Sequence, residues 1–118
     1  GIYDVVVPVG DEFSVCKNWG ESKLYVYDRT TGNTHYIEPF FGYPNYNCCF
    51  VRKIGSKEVG VIVDHYTSTS PTGAFSSHLY VLIPGRPITT VVCEDVSSTT
   101  INTILTKIIT NVEVDIDI

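Results

Sequence analysis

The sequence predicts an α/β fold in which a mixed five-stranded sheet is flanked by helices, formed by a single domain over residues 1–118. Three observations lead to this prediction. The first third of the chain shows short strand-like runs separated by turns, which is typical of an antiparallel meander. Two later runs are rich in valine and isoleucine and indicate strands buried on both faces. Helical spacing of apolar residues follows both runs, and strands joined through a helix run parallel with a right-handed crossover.

The first 38 residues predict four strands. Their sequences are "IYDVVVPV" from residue 2, "FSVC" from residue 13, "KLYVYD" from residue 23 and "THYIE" from residue 34. The valines of the first run predict burial on both faces, and Pro8 is expected to end its hydrogen bonding. The single tryptophan, Trp19, is predicted to be a core aromatic residue, followed by a tight turn at Gly20.

The rest of the chain predicts three helices. The first covers residues 49–55 and ends at Gly55, the second begins at the N-cap Ser70 and extends to Ile83, and the third is capped by Ser97 or Ser98. The third has the clearest helical stripe, formed by Ile101, Ile104, Leu105 and Ile108.

Two strands are expected between these helices, at residues 59–64 and 88–93, and both are predicted to lie parallel to a strand over residues 2–7. The tail, residues 112–118, alternates strictly between apolar and acidic residues, so a tail strand is expected there. This strand could pair within the chain, or between two chains in a homodimer.

Composition excludes several classes of function. The net charge is −5, so the chain lacks the basic surface that duplex nucleic acid requires. No apolar run approaches the roughly 20 residues needed to cross a bilayer, and no export signal is evident at residue 1. The four cysteines form no CxxC pair, so reduced thiols and a cytoplasmic location are expected, with Cys93 packing as a small hydrophobic residue.

The best-placed polar cluster follows the strand at 59–64 and opens the second predicted helix. A helix N-terminus at the carboxyl end of a strand suits a small anionic ligand, although a capped, solvated loop has the same composition. The candidate binding residues are Asp64, His65, Thr67, Ser68, Thr69, Ser70 and Gly73.

Several segments together resemble the dinitrogenase iron–molybdenum cofactor family, which includes NifX-like accessory proteins and the C-terminal domain of NifB. These segments are "NWG" at 18–20, "KLYVYDRTTGN", "VGVIVD", "TGAFSSHL" and "ITTVVCEDVSSTTINTIL". The resemblance implies a ribonuclease-H-like fold and binding of an iron–sulfur or iron–molybdenum type cluster. It makes Asn18 a candidate cofactor-binding residue. The family has a histidine there, and an amide oxygen is a poor ligand for a soft iron–sulfur centre.

We therefore expect a small, non-enzymatic binding or accessory protein for an anionic cofactor or metabolite. A ribonuclease-H-like fold also suggests a metal-dependent nuclease that uses Asp4, Asp64 and Asp95 to hold two Mg²⁺ ions. A third hypothesis is a protein-interaction module without a small ligand. The cysteines and histidines are too scattered in sequence to define a soft-metal site.

Overall fold

The computed structural model describes residues 3–38, 49–65, 77–93 and 97–117, with backbone alone for residues 65, 77 and 113–117. These residues form two antiparallel four-stranded sheets and one helix. The expected mixed five-stranded, ribonuclease-H-like sheet is therefore wrong, and the protein is mostly β. In the described ranges no helix is both long and apolar enough to span a membrane.

The first sheet, sheet A, is the meander that the sequence predicted. Its strands are β1 (Val5–Val9), β2 (Phe13–Lys17), β3 (Leu24–Asp28) and β4 (Asn33–Ile37), paired in chain order. Pro8 does not end β1 but pairs opposite Ser14. Proline is tolerated there because β1 has a partner strand on one side only within sheet A. The prediction that β1 is buried on both faces is wrong, since Val6 is 56% exposed.

The second sheet, sheet B, contains two segments that were predicted to be helical. Its strands are β5 (Cys49–Ile54), β6 (Lys57–His65), β7 (Ser77–Leu82) and β8 (Thr89–Cys93), also paired in chain order. Strand β5 replaces the helix expected at 49–55, and β7 replaces the described part of the helix expected up to Ile83. Residues 70–76 of that predicted helix lie outside the described residues.

Strands β6 and β8 occupy the runs predicted at 59–64 and 88–93, but they are not adjacent parallel neighbours. Both pair antiparallel with β7, which lies between them. Strand β1, which was expected beside them, belongs to sheet A. The prediction of three adjacent parallel strands is therefore wrong in its pairing, although β6 is central and deeply buried.

The one helix in the described part of the chain, α1 (Ser98–Asp117), begins where the sequence predicted. Ser97 caps it, since its Oγ accepts a hydrogen bond from the Thr100 backbone N–H at 3.3 Å. The expected tail strand at 112–118 is wrong, because α1 continues to Asp117. Val112 extends the apolar stripe three residues beyond the buried Ile109, so helical packing overrides the local alternation.

The two sheets and the helix form three layers. One apolar core lies between the sheets and contains Val15 and Val26 from sheet A with Ile62 and Leu82 from sheet B. A second core lies between sheet B and α1, and it includes Cys93, which packs as the sequence predicted. Sheet B is thus covered on both faces, whereas α1 leaves the outer face of sheet A uncovered.

Gly60 allows the two sheets to approach closely, and the Asp28 carboxylate links them. Gly60 has no side chain where β6 approaches sheet A, and a Cβ there would lie 3.1 Å from Val9 Cγ1 and 3.2 Å from Leu82 Cβ. Asp28, which is 1% exposed at the end of β3, accepts a hydrogen bond at 2.9 Å from the Gly85 N–H of the β7–β8 turn. This bond joins the end of sheet A directly to a turn of sheet B.

Candidate functional site

The outer face of sheet A carries a group of tyrosines. Strand alternation sends Leu24 and Val26 into the core, so Tyr25 and Tyr27 of β3 point outward, and Tyr36 of β4 lies opposite Tyr25. Tyr36 is 64% exposed and Tyr27 is 38% exposed. We call Tyr3, Tyr25, Tyr27 and Tyr36 the tyrosine face.

The tyrosine face has a fixed geometry. The Tyr3 ring packs on the Tyr25 ring with a centroid separation of 5.3 Å and a tilt of 44°. Directly opposed residues such as Tyr25 and Tyr36 have Cβ atoms about 5 Å apart, and residues two apart on a strand, such as Tyr25 and Tyr27, are about 7 Å apart. Tyr3 and Tyr25 are therefore in ring contact, and the Tyr25 Cβ lies close to those of Tyr27 and Tyr36 on the same face of sheet A.

The β2–β3 loop borders one end of this face. Gly20 adopts a φ of 88°, which glycine accepts without strain, so the predicted tight turn is confirmed. The Asp4 Oδ2 atom accepts a hydrogen bond from the Trp19 N–H at 2.8 Å, and the Asp4 N–H donates to Asn18 Oδ1 at 3.1 Å. The expectation that Trp19 lies in the core is wrong, because its side chain is 63% exposed.

Polar groups fix the positions of two tyrosines. The Tyr25 hydroxyl donates a hydrogen bond to Glu21 Oε2 at 2.9 Å. That hydrogen bond, together with desolvation and the nearby negative charge, raises the pKa of Tyr25. Lys23 Nζ lies 5.1 Å from the centroid of the Tyr36 ring and 3.7 Å from Glu38 Oε1. These contacts place a carboxylate and an ammonium group at the border of the tyrosine face.

A shallow, mostly polar hollow adjoins the tyrosine face. It has a volume of about 300 Å³ and is lined by Gly20, Glu21, Ser22, Lys23 and Tyr25. The lining offers a carboxylate, an ammonium group and hydroxyls beside the exposed rings. Hydrogen-bond donors and acceptors are therefore available immediately next to an aromatic platform.

Of the residues predicted to bind an anion, only Asn18 and Asp64 have side chains that the structure describes. Asp64 is fully buried and accepts a hydrogen bond from the Tyr80 hydroxyl at 3.2 Å. It therefore lies beneath sheet A rather than at an open strand end. Asn18 belongs to sheet A, where it holds the Asp4 backbone. Of His65 the backbone alone is described, at the end of β6, and Thr67, Ser68, Thr69, Ser70 and Gly73 lie outside the described residues.

Two of the three carboxylates proposed for a nuclease are described, and they differ in burial. Asp4 is exposed at the start of sheet A, Asp64 is buried in sheet B, and Asp95 lies outside the described residues. Within the described ranges, no group of three or more histidine, cysteine, aspartate or glutamate side chains is arranged to hold a metal ion. Burial raises the pKa of the Cys16 thiol, which lowers its reactivity.

The sequence contained a signal for the tyrosine face. In "KLYVYD" the tyrosines alternate with Leu24 and Val26, which belong to the core, and Tyr36 lies between His35 and Ile37 in "THYIE". Alternation therefore separated the two faces of the meander. It did not show which face the rest of the chain would cover.

Comparison with known proteins found no matching family model, no matching curated protein and no matching solved structure. The resemblance to the dinitrogenase cofactor family therefore stays a prediction that rests on the quoted segments, and the fold it implied is not the fold observed.

Proposed function

We propose that the protein is a non-enzymatic binding protein that recognises a neutral carbohydrate chain through the tyrosine face. The observation that carries this proposal is the array of exposed aromatic rings beside a polar hollow. It retains the binding role expected from the sequence and assigns a different ligand and a different surface.

The chemistry of a sugar suits both parts of the surface. One face of a pyranose ring presents C–H groups of weak positive charge, which stack on the negative face of an aromatic ring. The hydroxyl groups at the edge of the same ring need hydrogen-bond partners. Glu21 and Lys23 in the hollow supply an acceptor and a donor next to the Tyr25 ring.

The character of the hollow argues against an apolar protein partner. Residues that dominate protein interfaces insert into well-packed, desolvated pockets. The depression beside Tyr25 is instead polar and open to water. A ligand that carries its own hydroxyl groups can satisfy this lining, whereas an inserted leucine or phenylalanine would leave the polar groups desolvated.

The exposed aromatic area also matches a small ligand. With about 200 Å² for a fully exposed aromatic residue, the exposed parts of Tyr27 and Tyr36 amount to about 200 Å². A stable protein interface buries about 800 Å² on each partner. The platform is less than half of that size.

Charge favours a neutral chain over an anionic one. The net charge is −5, and both Glu21 and Glu38 lie at the border of the tyrosine face. A polyanion such as single-stranded nucleic acid could stack on the rings, but Lys17 and Lys23 only balance these two carboxylates, so the border carries no net positive charge to attract it. A neutral glycan requires no such charge.

The described residues do not test two other expectations from the sequence. A cytoplasmic location and a homodimer remain predictions. An iron–sulfur or iron–molybdenum type cluster, an anionic metabolite and a nuclease reaction gain no support from the described residues. Residues 66–73, which belong to the segment from Asp64 to Gly73 predicted to bind the anionic ligand, lie outside them.

The test is a titration with short neutral oligosaccharides built from glucose, mannose, galactose or N-acetylglucosamine, followed by Trp19 fluorescence and calorimetry. We expect one class to bind saturably. Tyr27→Ala and Tyr36→Ala should each weaken that binding by roughly two- to tenfold, which corresponds to the loss of one stacked ring.

The matched control is Val92→Ala, because Val92 is 65% exposed but belongs to β8 of sheet B. This variant should bind as the natural protein does. Absence of saturable binding to every oligosaccharide, or equal loss in Val92→Ala and Tyr36→Ala, would overturn the proposal.

A further inference from the structure

A second cavity lies at the opposite end of sheet A from the β2–β3 loop. It has a volume of about 280 Å³ and is lined by Glu12, Ser56, Lys57, Glu58, Ile83, Pro84, Arg86, Ile109 and Val112. Turns of both sheets and the second half of α1 meet there. We propose that this cavity binds a small zwitterion with an apolar side chain, namely a free α-amino acid of the leucine, isoleucine or valine type.

The floor of the cavity is apolar. Ile83 and Pro84 come from the β7–β8 turn, and Ile109 and Val112 come from one side of α1. Aliphatic side chains from two directions therefore enclose the space. Burial of an aliphatic ligand group against this floor is favourable, whereas burial of a charged group there is not.

The rim carries two groups of each charge. Glu12 and Glu58 supply carboxylates, while Lys57 and Arg86 supply cations. Neither Lys57 nor Arg86 forms an ion pair with any residue that the structure describes. Among the side chains that the structure describes, none neutralises these two cations, so we assign them to the ligand.

The carboxylates are held by the surrounding structure. The Thr30 hydroxyl donates a hydrogen bond to Glu12 Oε2 at 2.8 Å. Glu58 lies against Gly10, where any Cβ would overlap its Oε1 atom, and Gly10 has a φ of 63°. Glycine at this position thus leaves room for the Glu58 carboxylate at the rim.

Together the charges and the volume specify the ligand class. An ammonium group would find the two carboxylates and a carboxylate group would find the two cations, while the aliphatic side chain covers the floor. A ligand with a single charge would leave one pair of rim groups unused. The volume lies at the lower limit of about 300 Å³ for ligand pockets, which excludes nucleotides and other large metabolites.

The experiment is calorimetry and amide chemical-shift titration with L-leucine, L-isoleucine and L-valine up to about 10 mM, which covers weak small-ligand sites. N-acetyl-leucine lacks the ammonium charge and leucinamide lacks the carboxylate, and each should bind about tenfold more weakly than leucine. Aspartate, which has no apolar side chain, should bind more weakly as well.

Glu58→Gln and Arg86→Gln should each reduce leucine affinity about tenfold at unchanged melting temperature. Lys107→Gln, on the side of α1 that lines a separate hollow, is the control and should bind leucine normally. The proposal fails if none of the three amino acids binds, if N-acetyl-leucine and leucinamide bind as tightly as leucine, or if Lys107→Gln weakens binding as much as Arg86→Gln does.

Discussion

Replacement of Asp28 by alanine should destabilise the protein strongly, because this carboxylate joins the two sheets. Asp28 Oδ1 accepts a hydrogen bond from the Thr30 N–H and Oδ2 accepts one from the Gly85 N–H, both at 2.9 Å. The first bond shapes the β3–β4 turn of sheet A. The second reaches the β7–β8 turn of sheet B.

The magnitude follows from these two bonds. A hydrogen bond to a charged group contributes about 1.5–3 kcal/mol. When the carboxylate is removed, both N–H groups can form hydrogen bonds to water instead, because Thr30 and Gly85 are exposed. Part of the lost hydrogen-bond free energy is thereby recovered. We therefore expect Asp28→Ala to lower the free energy of unfolding by about 2–4 kcal/mol, out of a typical total of about 5–15 kcal/mol. The melting temperature should fall by roughly 10 °C.

Urea unfolding followed by circular dichroism measures this change, with two further variants for comparison. Asp28→Asn keeps the shape and one acceptor oxygen, so it should lose about half as much stability. Asp11→Ala is the control, because the Asp11 side chain is exposed and Arg29 contacts its backbone carbonyl instead. Its stability should change by less than about 0.5 kcal/mol. If Asp28→Ala proves as stable as Asp11→Ala, the link between the sheets does not depend on this carboxylate.

Three other outcomes follow from the packing and the charges. Val61→Asp should prevent folding, because an unpaired carboxylate would lie between sheet B and α1 at a fully buried position; a soluble variant that melts cooperatively would contradict this placement. Gly60→Val should lower stability by about 1–3 kcal/mol through overpacking between the sheets, and an unchanged melting curve would argue against their close approach. Ultraviolet titration should show Tyr25 ionising above the ordinary tyrosine range, whereas Glu21→Gln should return its pKa toward that range. The pKa of Tyr25 is higher in the folded protein than in the unfolded chain. The Tyr25–Glu21 hydrogen bond therefore contributes to stability at neutral pH, and this contribution is lost as the pH rises through the pKa of Tyr25 in the folded protein.

The meander and the start of α1 were predictable because each has one buried face. Alternation in "KLYVYD" and the helical stripe from Ile101 to Ile108 are simple patterns that periodicity detects. Sheet B lacks such a pattern because sheet A covers one face and α1 covers the other. In β7 the consecutive residues Leu79, Tyr80, Val81 and Leu82 are all buried, so apolar positions also matched a helical spacing by coincidence.

The candidate site shows a similar limit. Alternation gave Tyr25 and Tyr27 a common face, but their exposure depends on α1 packing against sheet B rather than sheet A. Which of the two sheets α1 packs against depends on the tertiary structure, and no local sequence pattern indicates it. Trp19 was misplaced for the opposite reason, because a large aromatic residue beside a glycine turn is compatible with either the core or an exposed loop.

The most direct test of the proposed function is chemical-shift mapping of the isotope-labelled protein during titration with neutral oligosaccharides. Carbohydrate recognition by the tyrosine face predicts saturable shifts of the Tyr25, Tyr27 and Tyr36 ring signals and of the amides at 20–23, with Val92 unchanged. Saturable shifts confined to sheet B, or no saturable shift with any oligosaccharide, would contradict it.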